Sequence, residues 1–216
     1  MTDTDNWQYL KRLVLDFLFP PKEKTLFVRN LTEKDLYNLP QANVSADNIS
    51  ALFAYSDDTT RKIVQATKYD GCREGARIMG RLLYSHLLTI CAENRIISKH
   101  VFLVPVPLSR QRRQKRGFNQ CKRVSRHICR QDSSDTFRVL SALEKPAPTQ
   151  PQTTLAKPQR RKNIAGSFAV NENVSIAGKH IIVIDDVATT GATFAEARKT
   201  LLKADPERVH AVAFAH

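Results

Sequence analysis

One segment constrains what this chain can fold into more than any other: residues 181–193 of the 216. Four consecutive apolar residues, 181–184, predict a buried strand, and two acids, Asp185 and Asp186, follow it directly. Val187 and a polar loop come next, and a predicted helix begins at Ala192. Because open α/β sheets bind ligands at the carboxyl ends of their strands, this order predicts a ligand site that contains both acids.

The loop after the two acids has the composition of a phosphate-binding loop. Its threonines offer hydroxyl groups, its glycine permits close backbone approach, and the following helix presents N–H donors at its positive dipole end. A ligand that places a phosphate at the loop and hydroxyl groups at the acids would be a sugar phosphate. The alternative is an ordinary strand, turn and helix with a threonine cap and exposed acids, which the complete motif disfavours. The loop residues are Ala188, Thr189, Thr190, Gly191, Ala192 and Thr193.

The rest of the chain alternates predicted strands with predicted helices. Apolar runs predict strands over residues 101–106, 137–140, 180–187 and 209–215, and helical spacing predicts helices over 5–19, 55–69, 75–92, 118–130 and 192–203. Residues 22–50, 107–117 and 145–163 are predicted to be mainly loops. We therefore expect an α/β fold with a mainly parallel sheet flanked by helices, with residues 51–216 as the main domain and 1–50 as a small helical cap.

Composition excludes some classes of protein and favours certain ligands. The chain has no apolar run long enough to span a bilayer, and its polar, acidic start is unlike a secretory signal, so we expect a cytoplasmic protein. A net charge of +13 favours polyanionic ligands, either nucleic acid or pyrophosphate-bearing small molecules. The cysteines have neither C-x-x-C pairing nor zinc-site spacing and are predicted to be reduced thiols: Cys72, Cys91, Cys121 and Cys129.

Residues 110–130 form a basic stretch without a single acid. Such a run is typical of a solvated helix face, and single-stranded DNA or RNA binding is the alternative. Phe118 is the one aromatic residue inside the stretch, which weakens the case for a groove that stacks bases. The basic residues are Arg110, Arg112, Arg113, Lys115, Arg116, Lys122, Arg123, Arg126 and Arg130.

The acid pair and its loop resemble the 5-phosphoribosyl-1-pyrophosphate signature of type I phosphoribosyltransferases. The chain resembles the ComF family in particular, which is known for competence and DNA-uptake proteins that carry a phosphoribosyltransferase domain. Further stretches that carry this resemblance are Val104-Pro105-Val106-Pro107 with residues 116–120, residues 149–168, and Lys68-Tyr69. Together they extend over residues 51–216.

The resemblance implies roles for individual residues. Asp185 and Asp186 would bind the ribose hydroxyl groups, and the loop 188–193 would bind the 5-phosphate. The turn at Pro107 would lie at the pyrophosphate, with Arg116 neutralising its charge, and Asp185, Asp186 and Arg116 would be the catalytic residues. Arg161, or its neighbour Arg160, would contact the ligand from a mobile loop, 145–163, that closes over the site. Mg²⁺ would be held by the substrate rather than by a set of protein ligands.

The sequence departs from the ComF pattern near its start. ComF proteins commonly carry a four-cysteine zinc module after an opening helix, but residues 22–39 contain neither cysteine nor histidine, so no zinc is expected. The partner that such a module contacts is therefore in doubt, and a homodimer or a contact with competence machinery stays open. Nothing in the sequence identifies an acceptor.

Two hypotheses of function follow. The first is a phosphoribosyltransferase-like protein, favoured as an enzyme, that binds Mg-5-phosphoribosyl-1-pyrophosphate. The second is a competence-associated protein that binds single-stranded nucleic acid and retains the sugar-phosphate site as a sensor or relic.

Overall fold

The computed structural model of the chain describes residues 20–44, 49–96, 100–146 and 166–216. Its helices, numbered along the described chain, are α1 Glu23–Arg29, α2 Glu33–Tyr37, α3 Asp58–Tyr69, α4 Arg73–Glu93, α5 Arg110–Arg116, α6 Gln120–Gln131 and α7 Ala192–Leu202. Its strands are β1 Ile49–Phe53, β2 Val101–Pro105, β3 Phe137–Val139, β4 Leu143–Glu144, β5 Ala169–Val170, β6 His180–Val187 and β7 Arg208–Ala215. No helix among these residues is long and apolar enough to cross a membrane.

Five of the strands form one parallel sheet in the order β1-β7-β6-β2-β3. The short strands β4 and β5 pair antiparallel in a separate ribbon. The chain leaves β2 toward β3 at one edge of the sheet, whereas it leaves β6 toward β7 in the opposite direction. The predicted α/β fold with a mainly parallel sheet is confirmed, and β2 and β6 flank the point where the strand order reverses.

Both faces of the sheet are buried, which explains the continuous apolar run in β6. Ile182 and Ile184 belong to one apolar cluster, which includes Leu83 and Leu87 of α4. The alternate residue Ile181 belongs to a second cluster on the other face, which includes Phe194 of α7. Helices therefore cover both faces and leave the strand ends as the place for a ligand.

The basic segment that follows β2 is a helix, where a loop was predicted. Ser109 caps α5, because its side chain accepts a hydrogen bond from the amide of Arg112, and Gly117 ends the helix in the left-handed conformation at φ 74°. Between these caps lie only arginine, lysine and glutamine, which have high helix propensity. The prediction failed because this helix has no buried face and so no apolar periodicity to detect.

The stretch predicted to be loop-rich, 22–50, also contains regular structure. Helices α1 and α2 bury Val28 and Leu36 against the α3–α4 side of the core, and Thr32 and Asp35 form a capping box at the start of α2. Strand β1 pairs with β7 and crosses the boundary that the sequence suggested at residue 50. The division into a cap and a main domain stays a prediction, as does the helix over 5–19, which lies outside the described residues.

Candidate functional site

The two acids lie at the reversal of strand order, where open α/β sheets form a ligand crevice. Asp185 and Asp186 occupy the carboxyl end of β6, and the neighbouring β2 ends at Pro105. The amide of Val106 donates to the carbonyl of Ile184 at 2.9 Å, so the chain beyond β2 starts beside the acids. The half-buried Pro107 follows at once, and its role at a pyrophosphate stays a prediction.

The loop from Ala188 to Thr193 leads into a helix that lacks a side-chain cap. Gly191 adopts the left-handed conformation at φ 69°, and α7 begins at the next residue without a capping hydrogen bond to its first amides. Thr189 and Thr190 are exposed beside these amides, while Ala188 is buried and donates to the carbonyl of Ala215 at 2.8 Å. Uncapped N–H groups and exposed hydroxyls at a helix N-terminus form an arrangement suited to a phosphate.

Asp186 is buried, although it lies at the end of its strand. Only 4% of the residue is accessible to solvent. Its Oδ1 accepts a hydrogen bond from the Lys68 ammonium at 2.8 Å, and its Oδ2 accepts one from the Gln120 amide at 2.7 Å. Both oxygens are therefore engaged by partners from α3 and α6. The Asp186 carboxylate also raises the pKa of Lys68, against the effect of burial, which would lower it.

Asp185 is half-buried and differs in its environment from Asp186. Its Oδ1 accepts hydrogen bonds from the backbone amide of Asp186 at 2.8 Å and from the Cys121 thiol at 3.4 Å. Burial and the adjacent Asp186 charge raise the pKa of Asp185 to about 7. Burial raises the pKa of the Cys121 thiol well above its ordinary value, so the sulfur stays protonated and can donate. This carboxyl therefore changes charge near neutral pH.

Arg116 lies close to the acids but contacts them through another residue. Its guanidinium donates to the Gln120 side-chain oxygen at 3.2 Å and stacks over the Tyr69 ring at 5.0 Å from the centroid. Gln120 in turn donates to Asp186. Arg161 lies outside the described residues, and so does most of the predicted lid, so their roles stay predictions.

Sequence reasoning assigned no role to several residues that line this region. Lys68 and Gln120 were noted only as parts of a resemblance, and Cys121 only as a core thiol. Lys145 also lies nearby: it stacks over Phe168 at 5.0 Å, and burial together with the charge of Arg112 lowers its pKa, while the Asp185 carboxylate acts to raise it. Lys68 is 118 residues away from Asp186 in the sequence, so their ion pair leaves no local sequence signal.

The site contains three atoms that are potential metal ligands, from Cys121, Asp185 and Asp186, all within 4.8 Å of one another. They fit a resident metal poorly. The Lys68 ammonium already neutralises Asp186, and a protonated thiol is a poor partner for a hard cation such as Mg²⁺. The absence of a zinc site stays a prediction. The structure records all four cysteines as free thiols.

The structure divides the basic stretch into exposed and anchored side chains. Arg123 is anchored, because it donates to the carbonyl of Gly71 at 2.8 Å and stacks over Phe118 at 4.0 Å. This stacking also occupies one face of the aromatic ring that was considered for base stacking. The exposed basic residues of the stretch are Arg110, Arg112, Arg113, Lys115, Arg126 and Arg130.

Comparison with known proteins agrees with this geometry. The family described as the phosphoribosyl transferase domain matches residues 115–216, which include both acids and the loop after them. The DNA utilization protein YhgH of Escherichia coli O6:H1 is 30% identical over 148 residues, which cover 65% of this chain and 60% of that protein. The competence protein ComFC of Bacillus subtilis is 33% identical over 105 residues, 49% of this chain and 40% of that protein.

Residues 115–216 therefore match a phosphoribosyl transferase domain, and the chain is similar to the YhgH and ComFC proteins. Its fold is that of the type I phosphoribosyltransferases, as predicted. Among solved structures it is similar to the hypoxanthine phosphoribosyl transferase of Trypanosoma cruzi, with 12% identity and a TM-score of 0.40 over 65% of this chain and 64% of that one. The chain spans 60% of the length of the E. coli relative, and Lys68 lies outside the residues that match the phosphoribosyl transferase domain.

Proposed function

We propose that this protein binds 5-phosphoribosyl-1-pyrophosphate, accompanied by Mg²⁺, in the crevice between the carboxyl ends of β2 and β6. The observation that carries the proposal is the pairing of a half-buried carboxyl with an uncapped helix N-terminus in one strand–loop–helix unit. The carboxyl accepts hydrogen bonds from vicinal hydroxyls, and the helix amides donate to a phosphate. A ribose 5-phosphate offers both groups in one molecule.

The chain's own residues account for the other parts of such a ligand. The turn at Pro107 leads into the basic helix α5, whose last residue, Arg116, lies beside Gln120. Lys145 approaches from the β4 side, near Arg112. Cations on both sides of the crevice favour a pyrophosphate, which carries several negative charges.

In a phosphoribosyl transfer the protein binds and orients rather than forming covalent bonds. Asp185 would hold the sugar by its hydroxyls, and the loop 188–193 would fix the 5-phosphate, so that the anomeric carbon is presented to an acceptor. Arg116 and Lys145 would offset charge that develops on the departing pyrophosphate. Magnesium bound to the pyrophosphate would neutralise further charge on it.

Calorimetric titration tests the proposal. We expect 5-phosphoribosyl-1-pyrophosphate to bind in the presence of Mg²⁺ and to bind much more weakly in EDTA. Asp185→Asn should weaken binding about 10- to 100-fold, because a hydrogen bond to a charged group contributes about 1.5–3 kcal/mol. Asp58→Asn is the matched control, because Asp58 is an exposed acid paired with Arg61 and Lys62 away from the crevice. The proposal fails if the parent protein gives no binding with Mg²⁺, or if Asp185→Asn binds as the parent does.

A second candidate, binding of single-stranded nucleic acid, is favoured by the charge of α5. Arg110, Arg112, Arg113 and Lys115 are all exposed, and none of them forms an ion pair with any residue in the described ranges. Four unneutralised cations on two helical turns form a surface that attracts a phosphate backbone. The names of the relatives, which refer to DNA utilization and competence, agree with this candidate.

A further inference from the structure

The two acids of the motif are not equivalent in the structure. Asp186 uses both oxygens on partners inside the protein, the Lys68 ammonium and the Gln120 amide. Asp185 uses only Oδ1, and within the described residues no hydrogen bond reaches its Oδ2. A ligand hydroxyl that approaches the pair finds an oxygen of Asp185 without a partner among these residues, whereas Asp186 is only 4% exposed and each of its oxygens already accepts a hydrogen bond inside the protein.

We propose that Lys68 is a positioning residue which, together with Gln120, holds Asp186 as an internal carboxylate and leaves Asp185 as the acid that binds the ligand's vicinal hydroxyls. This inference rests on the proposed function. The motif by itself would have both acids bind the ligand's hydroxyls, whereas the inference gives that role to Asp185 alone. Lys68 does not touch the ligand. It acts through Asp186 on the charge and orientation of Asp185.

Electrostatics explains why the pair needs this lysine. Two adjacent carboxyls at a buried strand end repel each other and resist ionisation together. The groups that face Asp185 are Asp186 on its own strand, the Cys121 thiol from α6, the Lys68 ammonium from α3, and Lys145 from the segment after β4. Among these the thiol carries no charge, and Lys68 is the cation bound directly to the acid pair, at 2.8 Å from Asp186.

The position of Lys68 is fixed by the end of helix α3. Its neighbours Ala66 and Thr67 are fully buried, and the Thr67 hydroxyl donates to the carbonyl of Ile63 at 2.8 Å. The carbonyl of Ala66 accepts from the amides of Asp70 and Cys72, which closes the helix against the start of α4. The side chain of Lys68 is only 22% exposed. The ammonium is therefore held in place before any ligand binds, as a positioning role requires.

The first test follows the ionisation of Asp185 without a ligand. Carbon-13 NMR of protein labelled at aspartate carboxyls would record the titration of Asp185 in the parent protein, in Lys68→Met and in Lys68→Arg. We expect the midpoint in Lys68→Met to move to higher pH, because loss of the cation disfavours the second negative charge, and Lys68→Arg to restore it. Lys62→Met is the matched control, because Lys62 is on the same helix, is also half-buried and pairs with Asp58 rather than with either acid of the motif. A midpoint that does not move in Lys68→Met overturns the proposal.

The second test measures binding of Mg-5-phosphoribosyl-1-pyrophosphate by calorimetry over a pH series. Asp186→Asn should keep its affinity within about threefold, while Asp185→Asn should lose about tenfold or more. Lys68→Met should bind about tenfold more weakly near neutral pH and recover at higher pH, a pattern that a purely structural defect would not give. If folded Asp186→Asn loses as much affinity as Asp185→Asn, both acids bind the ligand and the proposal is wrong.

The two tests separate this inference from the proposed function. If the parent protein does not bind the ligand at any pH, the proposed function fails, and the NMR titration still decides whether Lys68 controls the ionisation of Asp185. If Asp186→Asn does not fold, the comparison of Lys68→Met with Lys68→Arg decides the point without it. A Lys68→Arg variant whose titration and pH profile match those of Lys68→Met would show that charge at this position has no such effect, and would overturn the inference.

Discussion

Reversing charge on helix α5 tests whether its exposed cations bind single-stranded nucleic acid. The change is the double variant Arg112→Glu with Arg113→Glu. Both side chains are exposed and neither belongs to the buried core, so the fold should survive. Arg123 is excluded from the variant, because it anchors Gly71 and its loss would disturb the structure as well as the charge.

The size of the effect can be worked from the number of exposed cations. Each contact with a single-stranded phosphate contributes about −0.7 to the slope of log affinity against log salt. Four contacts, from Arg110, Arg112, Arg113 and Lys115, give a slope of about −2.8, so a fourfold rise in salt lowers affinity about 50-fold. Removing two contacts halves the slope to about −1.4, and the same rise in salt then lowers affinity only about 7-fold.

Fluorescence anisotropy with a labelled oligonucleotide across a salt series measures both slopes. The matched control is Lys199→Glu with Lys203→Glu, which makes the same change in net charge at exposed positions in and after α7. The reasoning is refuted if the parent shows no binding at low salt, since α5 is then only a solvated face. It is also refuted if the control variant loses as much affinity and slope as the α5 variant, because net charge alone would then explain the binding.

Two further predictions concern stability. His210 is buried, and burial together with the neighbouring Arg208, His180 and Arg198 lowers its pKa. The unfolded chain therefore binds a proton at His210 more readily than the folded protein does, so the stability is full above about pH 6.5 and falls below it. We expect the melting temperature of His210→Leu to depend less on pH between about 5 and 8 than that of the parent protein. An unchanged pH dependence of the melting temperature contradicts this prediction. Gly80→Ala would place a Cβ 2.5 Å from the His127 Cβ and 3.2 Å from backbone atoms of α6. We expect a net loss of about 1–2 kcal/mol in urea unfolding despite the better helix propensity, and unchanged stability would show that α4 and α6 can move apart.

Much of the fold could be predicted because its main elements have one-dimensional signals. The apolar runs of β2, β6 and β7 and the helical spacing of α3, α4, α6 and α7 place these elements to within a few residues. Short elements without such a signal were missed. Helix α5 has no apolar face, α1 and α2 have two turns or fewer, and β1 is a strand of only five residues that follows a mixed segment.

The candidate site was predictable as a motif but not as a charge arrangement. Asp185, Asp186 and the loop 188–193 are consecutive in the sequence, so their order alone indicates a sugar-phosphate site. Whether an acid in such a pair binds a ligand, holds a metal or stays internal depends on its counter-ion. That counter-ion comes from α3, which reaches the end of β6 only because α3 and α4 pack on one face of the sheet.

The burial of Asp186 then follows from its partners rather than from its own position. A carboxylate at the end of a strand next to a ligand crevice would ordinarily be solvated, and its removal from water is tolerated only if a cation and a hydrogen-bond donor replace that water. Lys68 supplies the cation and Gln120 supplies the hydrogen-bond donor. Gln120 is held in place because Asn119 caps the first turn of α6, where the Asn119 side chain accepts a hydrogen bond from the amide of Lys122 at 3.1 Å. Within the described residues no ion pair reaches Asp185, and burial together with the Asp186 charge raises its pKa to about 7. The difference between two adjacent aspartates is thus produced by two helices distant from them in sequence.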